Sequence, residues 1–188
     1  MSNANENMIV RHQHGKVGNQ VVFRVKDGQS IMGNIPKKRT KPLTPAQQQI
    51  QFRFKDAASW AKSIMGDPIQ KAAYQSKAKN GKSAYDVAMK DYLKAPVVNS
   101  IDKSAYTGHV GDQIVVRATD DFLVKNVRML IHDPGGVLIE QGMCVAQASG
   151  NNWNYSASVA VATLTGVVIT AVAVDNPGNT GQLAVTLT

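Results

Sequence analysis

The hydrophobic pattern of the chain changes twice and divides it into a ribbon, a helical segment and a β-rich segment. Residues 16–35 begin with β-branched and aromatic residues that alternate between two faces. The more apolar face carries Val21, Phe23 and Val25. Because Asp27-Gly28 is a two-residue turn signal, this segment predicts a β-hairpin. An isolated two-stranded ribbon is only marginally stable in water, so we expect it to dock on another surface.

Apolar residues recur at helical spacing in residues 44–95, and three start signals predict three helices. The first signal is a capping box at Thr44 with proline at the first helical position. Asp67-Pro68 repeats this signal, and Ser83 can cap the third helix. The predicted apolar stripe of the first helix consists of Ile50, Phe54, Ala57, Ala58, Ala61, Ile64 and Met65. That of the third consists of Tyr85, Ala88, Met89, Tyr92 and Leu93.

From residue 97 onward, Val, Ala and Thr dominate, and short β-prone runs alternate with turn clusters. The predicted runs are 113–119, 125–132, 137–141, 143–148, 153–160, 167–174 and 182–187. This spacing is typical of an antiparallel β-sandwich. We therefore predict an α+β chain of several parts: a β-hairpin and a three-helix unit, followed by an all-β sandwich. The domains are 1–95 (ribbon 16–35, arm 36–43, helices 44–95) and 96–188.

Two loop motifs in the β-rich half resemble those of bacterial immunoglobulin-like domains. They are Ala118-Thr119-Asp120 and Ala173-Val174-Asp175-Asn176-Pro177-Gly178-Asn179. The resemblance covers residues 97–188 and implies an immunoglobulin-like sandwich with Trp153 as the core aromatic residue. The disulfide of antibody domains is absent, because Cys144 is the only cysteine. The resemblance implies a fold class and no particular function.

The basic half also loosely resembles a family of uncharacterised proteins found in Bacteroidota and their mobile elements. The motifs are GKVGN at 15–19, PKK at 36–38 and TPAQ at 44–47. Proteins of that family couple such a segment to a β-rich C-terminal part. The resemblance implies no activity.

Charge is distributed unevenly along the chain, whose net charge is +8. Residues 1–95 contain 17 Lys and Arg against 6 Asp and Glu, whereas residues 96–188 contain 4 against 7. A basic half favours an anionic partner, which can be nucleic acid, a lipid surface or the acidic half of another copy. The densest cluster lies in the arm and comprises Lys37, Lys38, Arg39 and Lys41. The arm has no aromatic residue for stacking on bases, so a protein contact is an equally good interpretation.

The side chains that could take part in catalysis or metal binding do not form a recognisable catalytic set in the sequence. His12 and His14 lack the further ligands of a tetrahedral metal site, and nothing brings His109 or His132 to a nucleophile. Aspartates at 120, 121 and 175 lie on two loops expected at one end of the sandwich, where they could hold Ca²⁺ or simply form turns. We therefore predict no catalytic residue, no cofactor and no metal site, and leave calcium binding open.

These features favour a non-enzymatic structural protein that assembles with copies of itself as a filament, surface or virion subunit. The expected contact residues are Val21, Phe23, Val25, Lys37, Lys38, Arg39 and Lys41. The alternative is a nucleic-acid-binding accessory protein that uses the basic half. We find no secretory signal and no apolar run of about 20 residues. We therefore expect synthesis in the cytoplasm, with the final location (virion, cell surface, or extracellular by a signal-independent route) left open.

Overall fold

A computed structural model describes residues 14–18, 20–26, 29–35, 37–38, 40–148 and 150–188. Contacts between Cα atoms divide the chain into two compact units. The first unit is Met1–Gln51 with Lys79–Gly81, and the second is Phe52–Ala78 with Lys82–Thr188. Among the described residues, no helix is long and apolar enough to cross a membrane. The predicted domain boundary at residues 95 and 96 stays a prediction.

The first unit contains a three-stranded antiparallel sheet. Its strands, in the order β1-β2-β3, are β1 (Gly15–Val17), β2 (Val21–Lys26) and β3 (Gln29–Asn34). Strands β2 and β3 form the predicted hairpin, with Phe23 opposite Met32. The predicted turn residues, Asp27 and Gly28, lie outside the described residues.

Apart from Lys26 and Gln29, whose side chains are not described, none of the described residues of the first unit is buried. Val21, Val22 and Phe23 are all half-buried, whereas Val25 is 52% exposed. Strand β2 contains Val21, Phe23 and Val25 at alternate positions, as the sequence predicts, but their burial does not alternate with that of their neighbours. Alternating burial requires a partner that covers one face of the sheet, and the described residues of this unit provide none.

Three helices follow the sheet: α1 (Pro45–Gly66), α2 (Pro68–Lys77) and α3 (Ala84–Leu93). Each begins at its predicted cap. The Thr44 hydroxyl accepts the Gln47 N–H at 3.4 Å, and the Gln47 side chain accepts the Thr44 N–H at 3.1 Å. Asp67 accepts backbone N–H groups of the first turn of α2, and Ser83 forms a capping box with Asp86. These bonds satisfy N–H groups that have no partner within the helix.

Only the C-terminal half of the predicted stripe of α1 is buried. Ala57, Ala61 and Ile64 are buried, whereas Ile50 and Phe54 are 69% and 56% exposed. The buried helical core also includes Tyr74, Ala84 and Ala88. Ile50 and Phe54 lie on α1 as predicted, but they are exposed because helical spacing continues beyond the part of α1 that packs in this core.

The β-rich half forms two four-stranded antiparallel sheets. The first has the order β4-β5-β9-β8 and the second has the order β11-β10-β6-β7. Of the eight strands, the first, second, fifth and sixth form one sheet, and the third, fourth, seventh and eighth form the other. Two packed antiparallel sheets of this kind are typical of immunoglobulin-like sandwiches. The predicted fold class is thus confirmed. The strand bounds are β4 (Val97–Asp102), β5 (Gln113–Thr119), β6 (Val124–His132), β7 (Leu138–Met143), β8 (Val145–Ala146), β9 (Asn152–Ser156), β10 (Val168–Asp175) and β11 (Thr180–Thr186).

The sandwich core lies between the inner faces of the two sheets. Alternate residues of β5 and β10 are buried, as period-2 patterning predicts. Trp153 belongs to this core, as expected. Strand β4 was absent from the predicted runs because Val98 is its only buried residue, which gives no alternating pattern.

Candidate functional site

Three aspartates from separate elements converge in the second unit and are called here the aspartate cluster. Asp91 lies in α3, Asp120 directly follows β5, and Asp175 is the last residue of β10. One carboxylate oxygen from each lies within 4.8 Å of the other two. Asp91 and Asp175 have no exposed surface. The prediction that Asp120 and Asp175 lie at the same end of the sandwich is therefore correct.

Asp175 is held by the loop between β10 and β11. Its Oδ1 accepts the N–H groups of Gly178 at 2.8 Å and Asn179 at 2.6 Å. Its Oδ2 accepts the Asn179 side-chain amide at 2.7 Å. Burial raises the pKa of Asp175 above its usual range, although these hydrogen bonds oppose the shift.

Asn179 also connects this loop to helix α3. Its Nδ2 donates to the backbone carbonyl of Tyr92 at 3.1 Å and approaches that of Asp91 at 3.3 Å. These carbonyls belong to the last turn of the helix, where backbone acceptors lack partners within the helix. The amide thereby fixes the end of α3 beside the loop that holds Asp175.

Asp120 is held by the loop between β5 and β6. Its Oδ2 accepts the N–H groups of Phe122 at 3.0 Å and Leu123 at 3.1 Å. Its Oδ1 is buried and has no hydrogen-bond partner among the described residues. One oxygen thus shapes the loop, and the other is available to a ligand.

Asp91 occupies a fully buried position on α3. Its Oδ2 accepts the Tyr74 hydroxyl at 2.5 Å, and its buried Oδ1 has no hydrogen-bond partner in the described part of the chain. Burial raises the pKa of Asp91 to about 7; the Tyr74 hydrogen bond opposes this shift, and the charges of Asp120 and Asp175 add to it. The protonation of Asp91 therefore changes near neutral pH.

Tyr74 of α2, whose hydroxyl donates to Asp91, is itself held by two contacts. Its ring stacks on Phe122, with centroids 3.8 Å apart, and its hydroxyl accepts the Asn176 side-chain amide at 2.9 Å. Burial is the main reason that the pKa of Tyr74 is raised. The hydroxyl therefore remains a proton donor to Asp91 at neutral pH.

Lys90 and Lys94 neutralise the carboxylate of Asp121, which does not belong to the aspartate cluster. Lys90 and Lys94 form ion pairs with Asp121 at 3.1 and 3.0 Å. Partial burial alone would raise the pKa of Asp121, but the bonds and charges of the two lysines outweigh burial and lower it. Within the described residues, no Lys, Arg or His forms an ion pair with the aspartate cluster. The cluster therefore has an uncompensated negative charge whenever its members are ionised.

The proposed contact residues all belong to the first unit. Lys37, Lys38 and Lys41 line one shallow surface depression together with Thr40. Val21, Phe23 and Val25 lie on β2. Arg39 lies outside the described residues, as does His12.

The remaining candidate side chains have structural contacts. His109 Nδ1 lies 2.9 Å from the Thr107 hydroxyl, and Asp112 accepts the backbone N–H groups of both residues, so that this set closes a loop. His132 lies on β6. Cys144 is buried in the sandwich core, where burial raises the pKa of its thiol to about 12.

Asp91 is the functional candidate that the sequence analysis missed. It lies three residues after Ala88 and seven after Ala84, and both of these alanines are buried on α3. A carboxylate at helical spacing within an apolar stripe is therefore the signal that could have identified it. Asp121, in contrast, binds lysines and does not belong to the cluster.

No protein-family model matches the chain, and no curated protein sequence matches it. CopC from Methylosinus trichosporium OB3b is 16% identical, with a TM-score of 0.35 over 48% of this chain and 91% of that protein. A tetra-tandem repeat in the extending region of a large adhesion protein is 18% identical, with a TM-score of 0.32 over 50% of this chain. An engineered protein is 20% identical, with a TM-score of 0.32 over 40% of this chain. The chain spans 24% of the adhesion structure and 15% of the engineered one, and similarities of this size carry no information about function.

Proposed function

We propose that this chain is a non-enzymatic structural protein that assembles with copies of itself through its first unit. The observation that carries this proposal is the lack of any buried side chain among those described in that unit. Val17, Ile31 and Met32 are 52%, 47% and 62% exposed on a small sheet. Exposed apolar side chains grouped on one sheet favour a protein partner, and a small sheet needs a packed face for stability.

Charge favours a second copy of the chain as that partner. Residues 1–51 contain eight Lys and Arg against two Asp and Glu, whereas residues 96–188 are mildly acidic. Complementary charges on different surfaces favour a heterologous contact, in which the basic part of one copy meets the acidic part of the next. Such contacts produce rings or open filaments, as expected of a filament, surface or virion subunit.

Strand addition is the proposed mode of contact. Strand β3 lies at the edge of the first-unit sheet, and β7 lies at the edge of a sandwich sheet. Both strands have six residues. Leu138 and Met143 on β7 are 43% and 57% exposed. Pairing β3 of one copy with β7 of another would satisfy backbone groups of both edges and bury their apolar side chains.

Light scattering coupled to size-exclusion chromatography, followed by negative-stain microscopy, tests this proposal. We expect the wild-type chain to form multimers, and a variant with Ile31→Asp and Met32→Asp to be monomeric, because two charges would then be buried in the contact. Val110→Asp is the matched control, since Val110 is 64% exposed but lies in a sandwich loop.

Two results would contradict assembly through the first unit. The first is a wild-type monomer at high concentration that is unchanged by deletion of residues 1–35. The second is an equal loss of multimers in the control and in the double variant.

The second candidate function is nucleic-acid binding by the basic half. Its supporting observation is the depression in which Lys37, Lys38 and Lys41 lie together. Grouped lysines neutralise neighbouring phosphates and release bound counterions.

Fluorescence anisotropy with labelled single- and double-stranded oligonucleotides tests this candidate. Replacing Lys37, Lys38 and Lys41 with alanine should weaken binding and reduce the slope of log K against log salt by up to about 3 on duplex DNA. The control variant replaces three exposed basic residues outside the basic half, Arg117, Lys125 and Arg128, with alanine and should leave binding unchanged. Absence of binding at low salt would exclude nucleic acid as the partner.

A further inference from the structure

We propose that the aspartate cluster binds one divalent metal ion, with Ca²⁺ as the best-fitting ion. The side chains that converge there, Asp91, Asp120 and Asp175, offer only oxygen ligands. Hard cations such as Ca²⁺ prefer carboxylate oxygens and tolerate irregular arrangements of them. This proposal is independent of the assembly through the first unit.

The separation of the oxygens suits a shared ion. One carboxylate oxygen of each aspartate lies within 4.8 Å of the others. Ca²⁺ binds oxygen at about 2.3–2.6 Å, so an ion between two ligands spans up to about 4.6–5.2 Å. Mg²⁺ requires shorter distances and a stricter octahedral arrangement. Because Mg²⁺ requires this near-ideal geometry and usually keeps several waters, a set of carboxylates from three separate elements favours Ca²⁺ over Mg²⁺.

Carboxylate oxygens of the cluster that accept no hydrogen bond from the described residues point independently to a cation as their ligand. Asp91 is fully buried, yet its Oδ1 has no hydrogen-bond partner among the described residues, and the same is true of the buried Oδ1 of Asp120. Leaving a buried carboxylate oxygen without a donor or a cation is costly. Asp175 Oδ2 accepts the Asn179 side-chain amide and, with its second lone pair, retains capacity for a further ligand.

A proton shared between Asp91 and Asp120 is the competing explanation. It would satisfy both unpartnered oxygens but would leave two negative charges in the cluster. Asp120 and Asp175 accept backbone N–H groups, which stabilise their ionised forms. A divalent ion satisfies the same oxygens and compensates more of the charge, so we favour the ion.

Binding would connect helix α3 to two loops of the sandwich. The three ligands are far apart in sequence and meet only when the second unit is folded. An ion that binds the folded state and not the unfolded chain raises the stability of the fold. We therefore infer a structural role for the ion.

Thermal unfolding of the full-length chain tests the proposal. After treatment with EDTA and its removal, at about pH 8 where the carboxylates are ionised, CaCl₂ should raise Tm by about 5–10 °C at 100 times its dissociation constant. MgCl₂ should have a smaller effect. Terbium is a second probe, because Tyr74, whose hydroxyl lies 2.5 Å from Asp91 Oδ2, should sensitise its emission.

Variants of single aspartates test whether the response to CaCl₂ comes from the aspartate cluster or from other carboxylates. Asp91→Asn and, independently, Asp120→Asn should lose the response to CaCl₂ and most terbium emission. The matched control, Asp112→Asn, removes a loop-capping carboxylate outside the cluster and should keep both responses. If one cluster variant does not fold, the other supplies the comparison with the wild type. Titration calorimetry of the wild type should give one Ca²⁺ per chain.

Two outcomes would overturn the proposal. A wild-type chain that shows no change in Tm with CaCl₂ would assign the cluster to a shared proton. Equal responses of the wild type and both cluster variants would place the ion elsewhere.

Discussion

Asp91 shows how position within a helix determines the chemistry of one carboxylate. It follows the buried alanines of α3 at helical spacing, so the helix directs it into the protein and away from water. Asp86 on the same helix accepts the N–H of Ser83, which lowers its pKa. Burial instead raises the pKa of Asp91 to about 7. The pKa values of two aspartates five residues apart are therefore shifted in opposite directions from their usual value.

The pH dependence of the metal-free chain follows from Asp91. Between its usual pKa of 3.8 and about 7, folded Asp91 binds more protons than unfolded Asp91, so its contribution to stability falls as pH rises. In EDTA, raising the pH from about 5.5 to about 8 should destabilise the wild type relative to Asp91→Asn by about 2 kcal/mol. Urea unfolding of both proteins at the two pH values measures this difference.

Asp112→Asn is the control for the same measurement. Backbone N–H groups of His109 and Thr107 lower the pKa of Asp112, so this group stays ionised in both states over that pH range. We expect the difference in the free energy of unfolding between Asp112→Asn and the wild type to be the same at both pH values. A constant difference between the wild type and Asp91→Asn would contradict the assignment to Asp91.

At the scale of elements, the two sheets of the sandwich are joined by a buried carboxylate. Glu140 on β7 accepts the hydroxyl of Tyr155 on β9 at 2.9 Å. Its other oxygen accepts the N–H groups of Ser158 at 3.0 Å and Val159 at 2.6 Å, together with the Ser158 hydroxyl. Strand β9 ends at Ser156 and does not continue to residue 160 as predicted. The Ala157 N–H donates to the Asp112 carbonyl, and the N–H groups of Ser158 and Val159 then donate to the Glu140 side chain and not to a neighbouring strand.

Replacing Glu140 with glutamine should destabilise the sandwich by about 2 kcal/mol. Both Glu140 oxygens accept hydrogen bonds, and an amide would direct an N–H₂ group at one set of donors. The free energy of unfolding in urea measures the effect. The control is Gln141→Ala, an exposed residue of the same strand, which should change stability by less than about 0.5 kcal/mol. Similar losses in both variants would mean that Glu140 does not join the sheets.

At the scale of the whole molecule, the two units differ in what stabilises them. The second unit has buried helical and sandwich cores, whereas no described side chain of the first unit is buried. The stability of the first unit should therefore depend on a partner and on protein concentration. If charge complementarity guides that contact, multimers should form more slowly at high salt.

Local signals in the sequence predicted much of the secondary structure. The starts of all three helices were correct, because a cap is formed by residues within one turn of each other. The bounds of β5 were also correct, because its alternating pattern is long and regular. The predicted end of β9 was wrong, because it depends on packing partners elsewhere in the chain. The exposure of Ile50 and Phe54 depends on such partners too and cannot be read from helical spacing.

The succession of ribbon, helices and β-rich part, the helix caps and the uneven charge of the two halves follow from the sequence alone, because they depend on neighbouring residues or on composition. Tertiary structure decided which carboxylates meet. Asp120 and Asp175 could be assigned to loops from the sequence, but their approach to Asp91 depends on how α3 packs against those loops. Burial then changed the chemistry of Asp91, since a carboxylate removed from water requires a proton or a cation that the same residue in solvent does not need.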